Sequence, residues 1–520
     1  MFQNINPTKT TSWKKLVLHH TDIKHTHLKN LFYTNPNREK EFTLQLEQLS
    51  FDFSKNKITD KTLELLENLA VEMNLKSGIE SLFNGEKINI TENRAVLHTA
   101  LREFNDYKTT VDGEPIYPLI NDARLKVKEF TKKIITGIWK GYSGKPIDTI
   151  VNIGIGGSDL GPQMVVESLK FYSNHLKTFF ISNVDGDAVQ NILNKINPET
   201  TLFIVVSKTF TTVETLTNAT TCKNWLLQNT DIENVKKHFV AVSTNQKAVT
   251  DFGIDKTNIF PMWNWVGGRF SMWSSVGLSI ALSIGYDYFE DFLKGANAAD
   301  IHFRNTAFKD NIPVIMGLLS IWSINFNHVN TEAILPYAET LNKLVPYLQQ
   351  LFMESNGKSV DKNGESVNYS TGSVLFGSTG TNAQHSFMQL VHQGTQSIPV
   401  DFIGFQNPLY GNEEHHKILM ANLMGQSQAL MEGKTKEAVH LDMKFHGSQD
   451  KINKLLPYKV FKGNRVSNIF LFDKLTPYNL GMLIALYEHK VFVQGVLWNI
   501  NSFDQFGVEL GKEIAKRYTN

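Results

Sequence analysis

The stretch Gln350-Leu-Phe-Met-Glu354-Ser-Asn356-Gly357-Lys358 carries a candidate general base. Gln350 and Glu354 stand four residues apart, so they share one face of a predicted helix over residues 341–355. Asn356 and Gly357 predict that this helix stops just after Glu354. In a last helical turn, the negative end of the helix dipole and partial burial raise the pKa of a carboxyl group towards the range of a useful base. The alternative is an ordinary solvated glutamate on the protein surface.

A candidate acid–base histidine lies in the stretch Gly380-Thr381-Asn-Ala-Gln384-His385. Thr381 and Gln384 have the Thr-x-x-Gln spacing of a capping box, which predicts a helix start and places His385 in its first turn. The positive end of the helix dipole lowers the pKa of an imidazole there, so the ring stays neutral. A neutral imidazole can take or give a proton near pH 7. The alternative is a polar histidine that only caps its neighbours.

Arg269, Gln505 and Lys512 are further polar candidates. Arg269 follows the pair Gly267-Gly268. Glycines let the backbone approach a ligand closely, and a fixed guanidinium suits an oxyanion. A hairpin turn with a surface arginine is the alternative. If residues 503–512 are helical, Gln505 and Lys512 share one face, which presents them either to a ligand or only to solvent.

A glycine-rich loop, Gly154-Ile-Gly156-Gly157-Ser158-Asp159-Leu-Gly161-Pro162, follows an apolar run that predicts a buried parallel strand. Pro162 predicts the first turn of a helix, so backbone N–H groups and a positive helix end converge on one point, where a phosphate binds well. The loop matches neither of the two common glycine-rich nucleotide-binding motifs. Asp159 stands where the dinucleotide fingerprint needs glycine, and Pro162 stands where a P-loop needs lysine. A turn that serves packing alone is the alternative.

A second candidate phosphate loop is the run Ser207-Lys208-Thr209-Phe-Thr211-Thr212, which follows an apolar strand, residues 202–206. Hydroxyl residues before a helix often only cap its free N–H groups. Four hydroxyls and one lysine exceed what capping requires, and ligands bind at the carboxyl edge of parallel sheets. Because Gly156, Gly157 and Ser158 lie on the same predicted edge, the two loops together favour a phosphate site.

The alternation of strands and helices predicts an α/β fold with two doubly wound parallel sheets. The expected strands are residues 149–155, 178–181, 202–206, 239–242 and 259–260 in the first sheet, and 333–336, 373–377 and 399–405 in the second. Residues 13–110 look largely helical, and helices are expected over 119–141, 341–355 and 381–393. Residues 434–455 are polar and predict a surface arm or loop. We expect a smaller domain, residues 119–285, and a larger one, residues 1–118 plus 286–520.

Composition excludes several classes of protein. The chain has 520 residues, too many for one core, and a net charge of +1 argues against a nucleic-acid binder. Cys222 is the only cysteine, which excludes an intramolecular disulfide and a multi-thiolate metal site and fits the cytoplasm. No signal peptide is expected from the N-terminus, and polar residues interrupt the most apolar stretches, residues 314–326 and 480–498. No histidine and carboxylate spacing predicts a metal site.

The stretch Asn264 to Gly277, which contains Arg269, and the stretch Phe503 to Lys512, which contains Gln505, resemble the signature sequences of the glucose-6-phosphate isomerase (phosphoglucose isomerase) family. Five further stretches also resemble sequences of that family, and they follow one another in the same order as in the family. They are residues 91–102, 154–162, 207–212, 350–358 and 380–394. The resemblance covers nearly the whole chain. It is to the metal-independent family and not to the unrelated metal-dependent cupin isomerases.

The resemblance implies sugar-isomerase (SIS) domains for both sheets and a role for each candidate residue. Glu354 matches the base that moves a proton between C2 and C1, and Arg269 matches the residue that stabilises the enediolate. His385 and Lys512 match the ring-opening pair. The substrate-binding positions are Gly157, Ser158, Ser207, Lys208, Thr209, Thr212, Gln350 and Gln505. Arg94 and His98 lie in a family-like stretch but receive no chemical role.

The activity implied is metal-free and cofactor-free interconversion of glucose 6-phosphate and fructose 6-phosphate through a cis-enediolate, in glycolysis and gluconeogenesis. The family works as a cytoplasmic homodimer, with the counterpart of His385 reaching into the neighbouring site. Two alternatives stay open. A phosphomannose-type or bifunctional isomerase would use the same intermediate. A sugar-phosphate-sensing regulator would keep the phosphate loops without needing Glu354, His385 and Lys512 together.

Overall fold

The computed structural model describes residues 4–105, 109–444 and 449–518 and contains two large sheets and one short hairpin. The strands are β1 (Thr43–Leu46), β2 (Leu49–Asp52), β3 (Thr110–Val111), β4 (Glu114–Pro115), β5 (Thr149–Ile153), β6 (Lys177–Ile181), β7 (Thr201–Val206), β8 (Phe239–Val242), β9 (Ile259–Phe260), β10 (Thr331–Pro336), β11 (Val374–Gly377), β12 (Val400–Phe405) and β13 (Ser467–Phe472).

Helices cover the faces of both sheets. They are α1 (Thr11–Ile23), α2 (Leu28–Thr34), α3 (Arg38–Glu41), α4 (Asp60–Glu72), α5 (Leu75–Asn84), α6 (Tyr117–Ile135), α7 (Leu160–Ser168), α8 (Gly186–Leu193), α9 (Val213–Leu227), α10 (Val235–His238), α11 (Gln246–Asp251), α12 (Leu278–Ile284), α13 (Tyr286–Asn305), α14 (Ile312–Ile321), α15 (Leu344–Gln349), α16 (Gly380–Gln384), α17 (Met388–Gln393), α18 (Glu413–Glu432), α19 (Lys436–Met443), α20 (Gln449–Lys459), α21 (Pro477–Leu497) and α22 (Glu509–Ala515).

The smaller sheet is fully parallel and has the strand order β6-β5-β7-β8-β9. All residues of its central strands β5 and β7 are buried, because helices lie on both faces. The parallel arrangement puts the carboxyl ends of β5 and β7 side by side, so the loops that follow them meet at one edge. This sheet has the five strands predicted from the sequence.

The larger sheet is mixed, with the order β1-β2-β13-β12-β10-β11. β10 to β13 are parallel, as expected for a doubly wound sheet, but β1 and β2 form an antiparallel hairpin that pairs with β13. The prediction that residues 13–110 are largely helical is therefore wrong in part. Apolar residues alternate along this hairpin with the period of a strand, and residues 95–101 form only a short 3-10 turn at their end. The α/β fold class itself is confirmed.

Two other local predictions are correct only in part, because the polar stretch 434–455 lies at the surface but is not a loop, and a predicted helix is interrupted. The described residues of this stretch, 434–444 and 449–455, are largely helical, and α19 and α20 pack on each other through a small apolar cluster of Val439, Met443, Ile452 and Leu456. The predicted helix 381–393 is split into α16 and α17. The two sheets fall within the two predicted domains, and the division of the chain stays a prediction. One helix, α21, is long and apolar enough to cross a membrane among the described residues, and it is fully buried in the core against α13 and α14.

Candidate active site

The glycine loop after β5 lies against the turn that carries Arg269. Gly156 has a left-handed backbone, φ +62°, which glycine adopts without steric cost. A Cβ on Gly157 would lie 2.0 Å from the carbonyl oxygen of Gly268, so only glycine fits there. A Cβ on Gly156 would lie 3.3 Å from Nε2 of Gln350. The loop, Arg269 and Gln350 therefore surround the same space at the sheet edge.

The loop after β7 collects hydroxyl groups at that edge. The Oγ of Ser207 lies 3.4 Å from Oγ1 of Thr212, and the hydroxyls of Thr209 and Thr211 are 2.7 Å apart. Lys208 Nζ donates to the carbonyl oxygen of Val266 at 3.1 Å, so this loop also reaches the turn before Arg269. The two loops bring hydroxyls, amides and one cation together, which is the composition of a phosphate cradle.

Lys208 has an unusual pKa. Burial, and then the positive charge of Arg94, lower the pKa of Lys208 to about 8, and Glu92 opposes the shift. Arg94 pairs with Glu92 at 3.1 Å. This gives Arg94, which received no role from the sequence, an electrostatic effect on the candidate phosphate site.

Arg269 is buried, and every edge of its guanidinium has a partner. Nε donates to Oγ of Ser355 at 2.7 Å, Nη2 donates to the carbonyl oxygen of Ser502 at 2.6 Å, and Nη1 donates to Oε1 of Gln505 at 3.1 Å. The same Nη1 lies 3.4 Å from Oε2 of Glu354. Burial lowers the pKa of Arg269, and the carboxylate of Glu354 is the largest effect that opposes it. The guanidinium is therefore fixed next to the candidate base.

Glu354 stands at the end of an unusual helical segment. The predicted helix is α-helical over α15 and continues as a π-helical turn over Gln350–Glu354. Short π-helical turns are rare and occur frequently at functional sites, because they turn side chains out of the ordinary α-helical register. The side chain of Glu354 is about 20% exposed and faces an open cleft of about 430 Å³. The cleft is also lined by Thr91, Lys358, Asp504 and Gln505.

Asp504 and Lys358 form an ion pair beside this cleft that sequence reasoning missed. Nζ of Lys358 lies 2.7 Å from Oδ1 of Asp504, and Thr91 donates its hydroxyl to Oδ2 at 2.7 Å. The pair fixes the segment that carries Gln505. Asp504 precedes Gln505 and Lys358 lies four residues after Glu354, but 146 positions of chain separate Asp504 from Lys358, so no local pattern could have paired them.

His98 lies behind the site instead of in it. It is buried and stacked on Phe270, the neighbour of Arg269, with the ring centroids 4.6 Å apart. Burial, followed by the charge of Arg102, holds the pKa of His98 well below its ordinary value, so the ring is neutral. His98 supports the turn that carries Arg269.

The structure does not bring His385 to Glu354 within the chain. Thr379 is the N-cap of α16, its hydroxyl bonds to Glu339, and His385 follows the C-terminal end of this five-residue helix. The predicted capping box and the position of His385 in a first turn are therefore wrong. His385 is exposed, and its side chain forms no hydrogen bond within the described residues.

Lys512 is likewise exposed, on α22. Residues 503–512 do not form one continuous helix, since Gln505 precedes a 3-10 turn and α22 begins at Glu509, so Gln505 and Lys512 do not share a helix face. Every residue from 506 to 518 is exposed. Neither Lys512 nor His385 forms a hydrogen bond or an ion pair with Arg269 or Glu354 among the described parts of the chain.

Comparisons with known proteins show similarity over nearly the whole chain. Residues 52–520 match the model of the phosphoglucose isomerase family. The chain is 54% identical over 516 residues to a glucose-6-phosphate isomerase of Christiangramia forsetii, covering 99% of this chain and 95% of the relative. It is 51% identical to a glucose-6-phosphate isomerase of Buchnera aphidicola subsp. Schizaphis graminum, covering 99% and 93%.

A solved structure agrees as well. A crystal structure of a glucose-6-phosphate isomerase from Chlamydia trachomatis superposes with a TM-score of 0.88 at 32% identity and covers 99% of this chain and 96% of the other. The resemblance read from the sequence motifs is therefore confirmed, and the chain belongs to the phosphoglucose isomerase family.

Proposed function

We propose that this protein interconverts glucose 6-phosphate and fructose 6-phosphate by proton transfer through a cis-enediolate. The observation that carries this is the fixed guanidinium of Arg269, 3.4 Å from the Glu354 carboxylate at an open cleft, beside two loops with the composition of a phosphate cradle. Family membership supports the same substrate pair, since both close relatives are named as glucose-6-phosphate isomerases. Glycolysis, gluconeogenesis and a cytoplasmic location belong to the same proposal.

In the proposed reaction the phosphate group binds at Ser158 and the Ser207–Thr212 loop. Glu354 abstracts the proton from C2 of the open-chain sugar, which the C1 carbonyl acidifies, and returns it to C1. The enediolate that forms between these steps is negative, and the buried guanidinium of Arg269 offsets that charge without having to reorganise. Gln350 and Gln505 contact the sugar. This scheme needs no metal and no cofactor.

Ring opening requires a proton at the ring oxygen, and His385 with Lys512 is assigned to this step. Because both side chains are exposed on the single chain, we propose a homodimer in which His385 enters the site of the other subunit. The C-terminal segment exposes several apolar side chains, and contact with a second subunit would bury them. These residues are Phe506, Val508, Leu510, Ile514 and Tyr518.

A coupled assay tests the proposal. Purified protein should convert fructose 6-phosphate to glucose 6-phosphate at an unchanged rate in excess chelator. A rate that chelator abolishes and divalent metal restores would refute the metal-free scheme. No turnover in either condition, with sugar-phosphate binding retained, would favour the sensing regulator. Turnover of mannose 6-phosphate at a comparable rate would favour the bifunctional isomerase.

A further inference from the structure

Phe210 is a bulky residue with a left-handed backbone in the middle of the Ser207–Thr212 loop. Its φ is +54°, a conformation that aromatic residues rarely adopt because the side chain crowds the following backbone. Such a conformation persists only where the surroundings hold it, and outliers of this kind concentrate at ligand sites.

The Phe210 side chain is held in an apolar core that packs against the smaller sheet. It is only 3% exposed and belongs to an apolar cluster that includes Phe203 and Phe239. Its ring packs edge-on against Phe252, with the centroids 5.8 Å apart. The ring therefore points away from the candidate phosphate site, into the protein.

The backbone on the N-terminal side of Phe210 is fixed by the residues that follow β8. The carbonyl oxygen of Lys208 accepts hydrogen bonds from Oγ of Ser243 at 3.1 Å and from Oγ1 and N of Thr244 at 2.7 and 2.9 Å. The carbonyl oxygen of Thr209 accepts from Nδ2 of Asn245 at 3.0 Å. These carbonyls are directed towards the segment that follows β8.

We propose that Phe210 is a positioning residue for phosphate binding: its buried ring anchors the left-handed turn that directs the hydroxyls and amides of the loop at the phosphate group. A left-handed residue inside a turn makes successive N–H groups converge, and this geometry binds anions. Phe210 touches no ligand and acts through Lys208, Thr209 and Thr211. The inference rests on the proposed function, because it assumes that this loop receives the phosphate.

Three substitutions of Phe210 separate anchoring from general stability. Phe210→Ala removes the ring. Phe210→Gly also removes the ring, but glycine adopts the left-handed conformation without strain. The glycine variant can therefore be measured if strain prevents the alanine variant from folding. Phe210→Leu keeps an apolar anchor. Phe203→Ala is the matched control, since Phe203 is fully buried in the same cluster, stacked on Phe239, on a strand and not in the loop.

The measurements are calorimetric binding of inorganic phosphate and steady-state kinetics, at one fixed pH. We expect the dissociation constant of phosphate and the KM for fructose 6-phosphate to rise at least fivefold in Phe210→Ala and Phe210→Gly. Both values should change less than fivefold in Phe210→Leu and Phe203→Ala. The kcat should stay within fivefold of wild type throughout, because the loop binds substrate and transition state alike.

Two results overturn the inference. The first is a phosphate dissociation constant that changes less than fivefold in both Phe210→Ala and Phe210→Gly. The second is a phosphate dissociation constant that rises as much in Phe203→Ala as in the Phe210 variants. Failure of the proposed function is a separate outcome, visible in the wild-type protein as absent turnover or as phosphate that does not bind. If wild type isomerises and binds phosphate while the Phe210 variants bind it normally, only the role of Phe210 is wrong.

Discussion

Sugar-phosphate affinity should fall above pH 8, because Lys208 loses its proton in the free enzyme at about that pH. A bound phosphate dianion favours the charged ammonium, so phosphate binds the protonated form and raises the pKa of Lys208 in the complex. The second pKa of a phosphate monoester is about 6, so the ligand stays dianionic from pH 7 to pH 9. Only the enzyme titrates in this window.

The size of the effect follows from the protonated fraction. With a pKa of about 8, roughly nine tenths of Lys208 is charged at pH 7 and roughly one tenth at pH 9. The apparent dissociation constant of a non-reacting hexitol 6-phosphate should therefore rise about tenfold between these pH values, which equals about 1.4 kcal/mol. Isothermal calorimetry at pH 7, 8 and 9 measures it directly.

Two variants serve as controls. Lys208→Arg stays charged throughout this range, so its affinity should be independent of pH even if the larger guanidinium binds less tightly. Lys208→Met should bind weakly at every pH. A wild-type affinity that is flat from pH 7 to pH 9 would show that the pKa of Lys208 is not lowered in this way. A tenfold fall that persists in Lys208→Arg would assign the titration to another group.

Three further outcomes are expected. Glu354→Gln should lower kcat by about 10³-fold while sugar-phosphate binding stays within about tenfold, because the base acts on the transition state. Glu354→Gln and His385→Ala, refolded together, should recover roughly a quarter of wild-type activity, since about half of randomly paired dimers are hybrids with one intact site. Asp504→Asn leaves the partly buried Lys358 ammonium without its carboxylate partner and should lower kcat/KM at least tenfold, and adding Lys358→Met should restore part of it.

Each of these three predictions would be contradicted by a specific result. Full turnover by Glu354→Gln, or calorimetric binding lost with activity, would remove Glu354 as the base. Verified hybrid dimers without recovered activity would exclude a shared site, and activity without dimers on gel filtration would indicate a contaminating isomerase. A double variant of Asp504 and Lys358 that is worse than Asp504→Asn would mean that the ion pair does not act through the unpaired charge.

Local sequence patterns predicted much of the fold and the position of the candidate phosphate loops. Buried parallel strands read as continuous apolar runs, so β5, β7 and β8 were visible in the sequence. The β1–β2 hairpin was missed because its two strands are short and lie between helical segments, and its identity as strand depends on pairing with β13, more than 400 residues later. The helix start predicted at Thr381 was wrong, because Thr379 is the N-cap of α16 and its hydroxyl donates a hydrogen bond to Glu339. Glu339 is 40 residues away in the chain, so no local spacing reveals this contact.

The sequence by itself determined which residue types stand at the ends of the strands: glycines and hydroxyls after β5 and β7, and a glutamate before a helix stop. Those properties depend on spacing within a few residues, where turn and helix geometry act. Only the tertiary structure decided that Arg269 bonds to Ser355 and to Gln505, which are 86 and 236 residues away in the chain. It also decided that the ring of Phe210 turns into the core and that His385 turns out to solvent. Such contacts follow from the packing of distant elements, which local patterns do not contain.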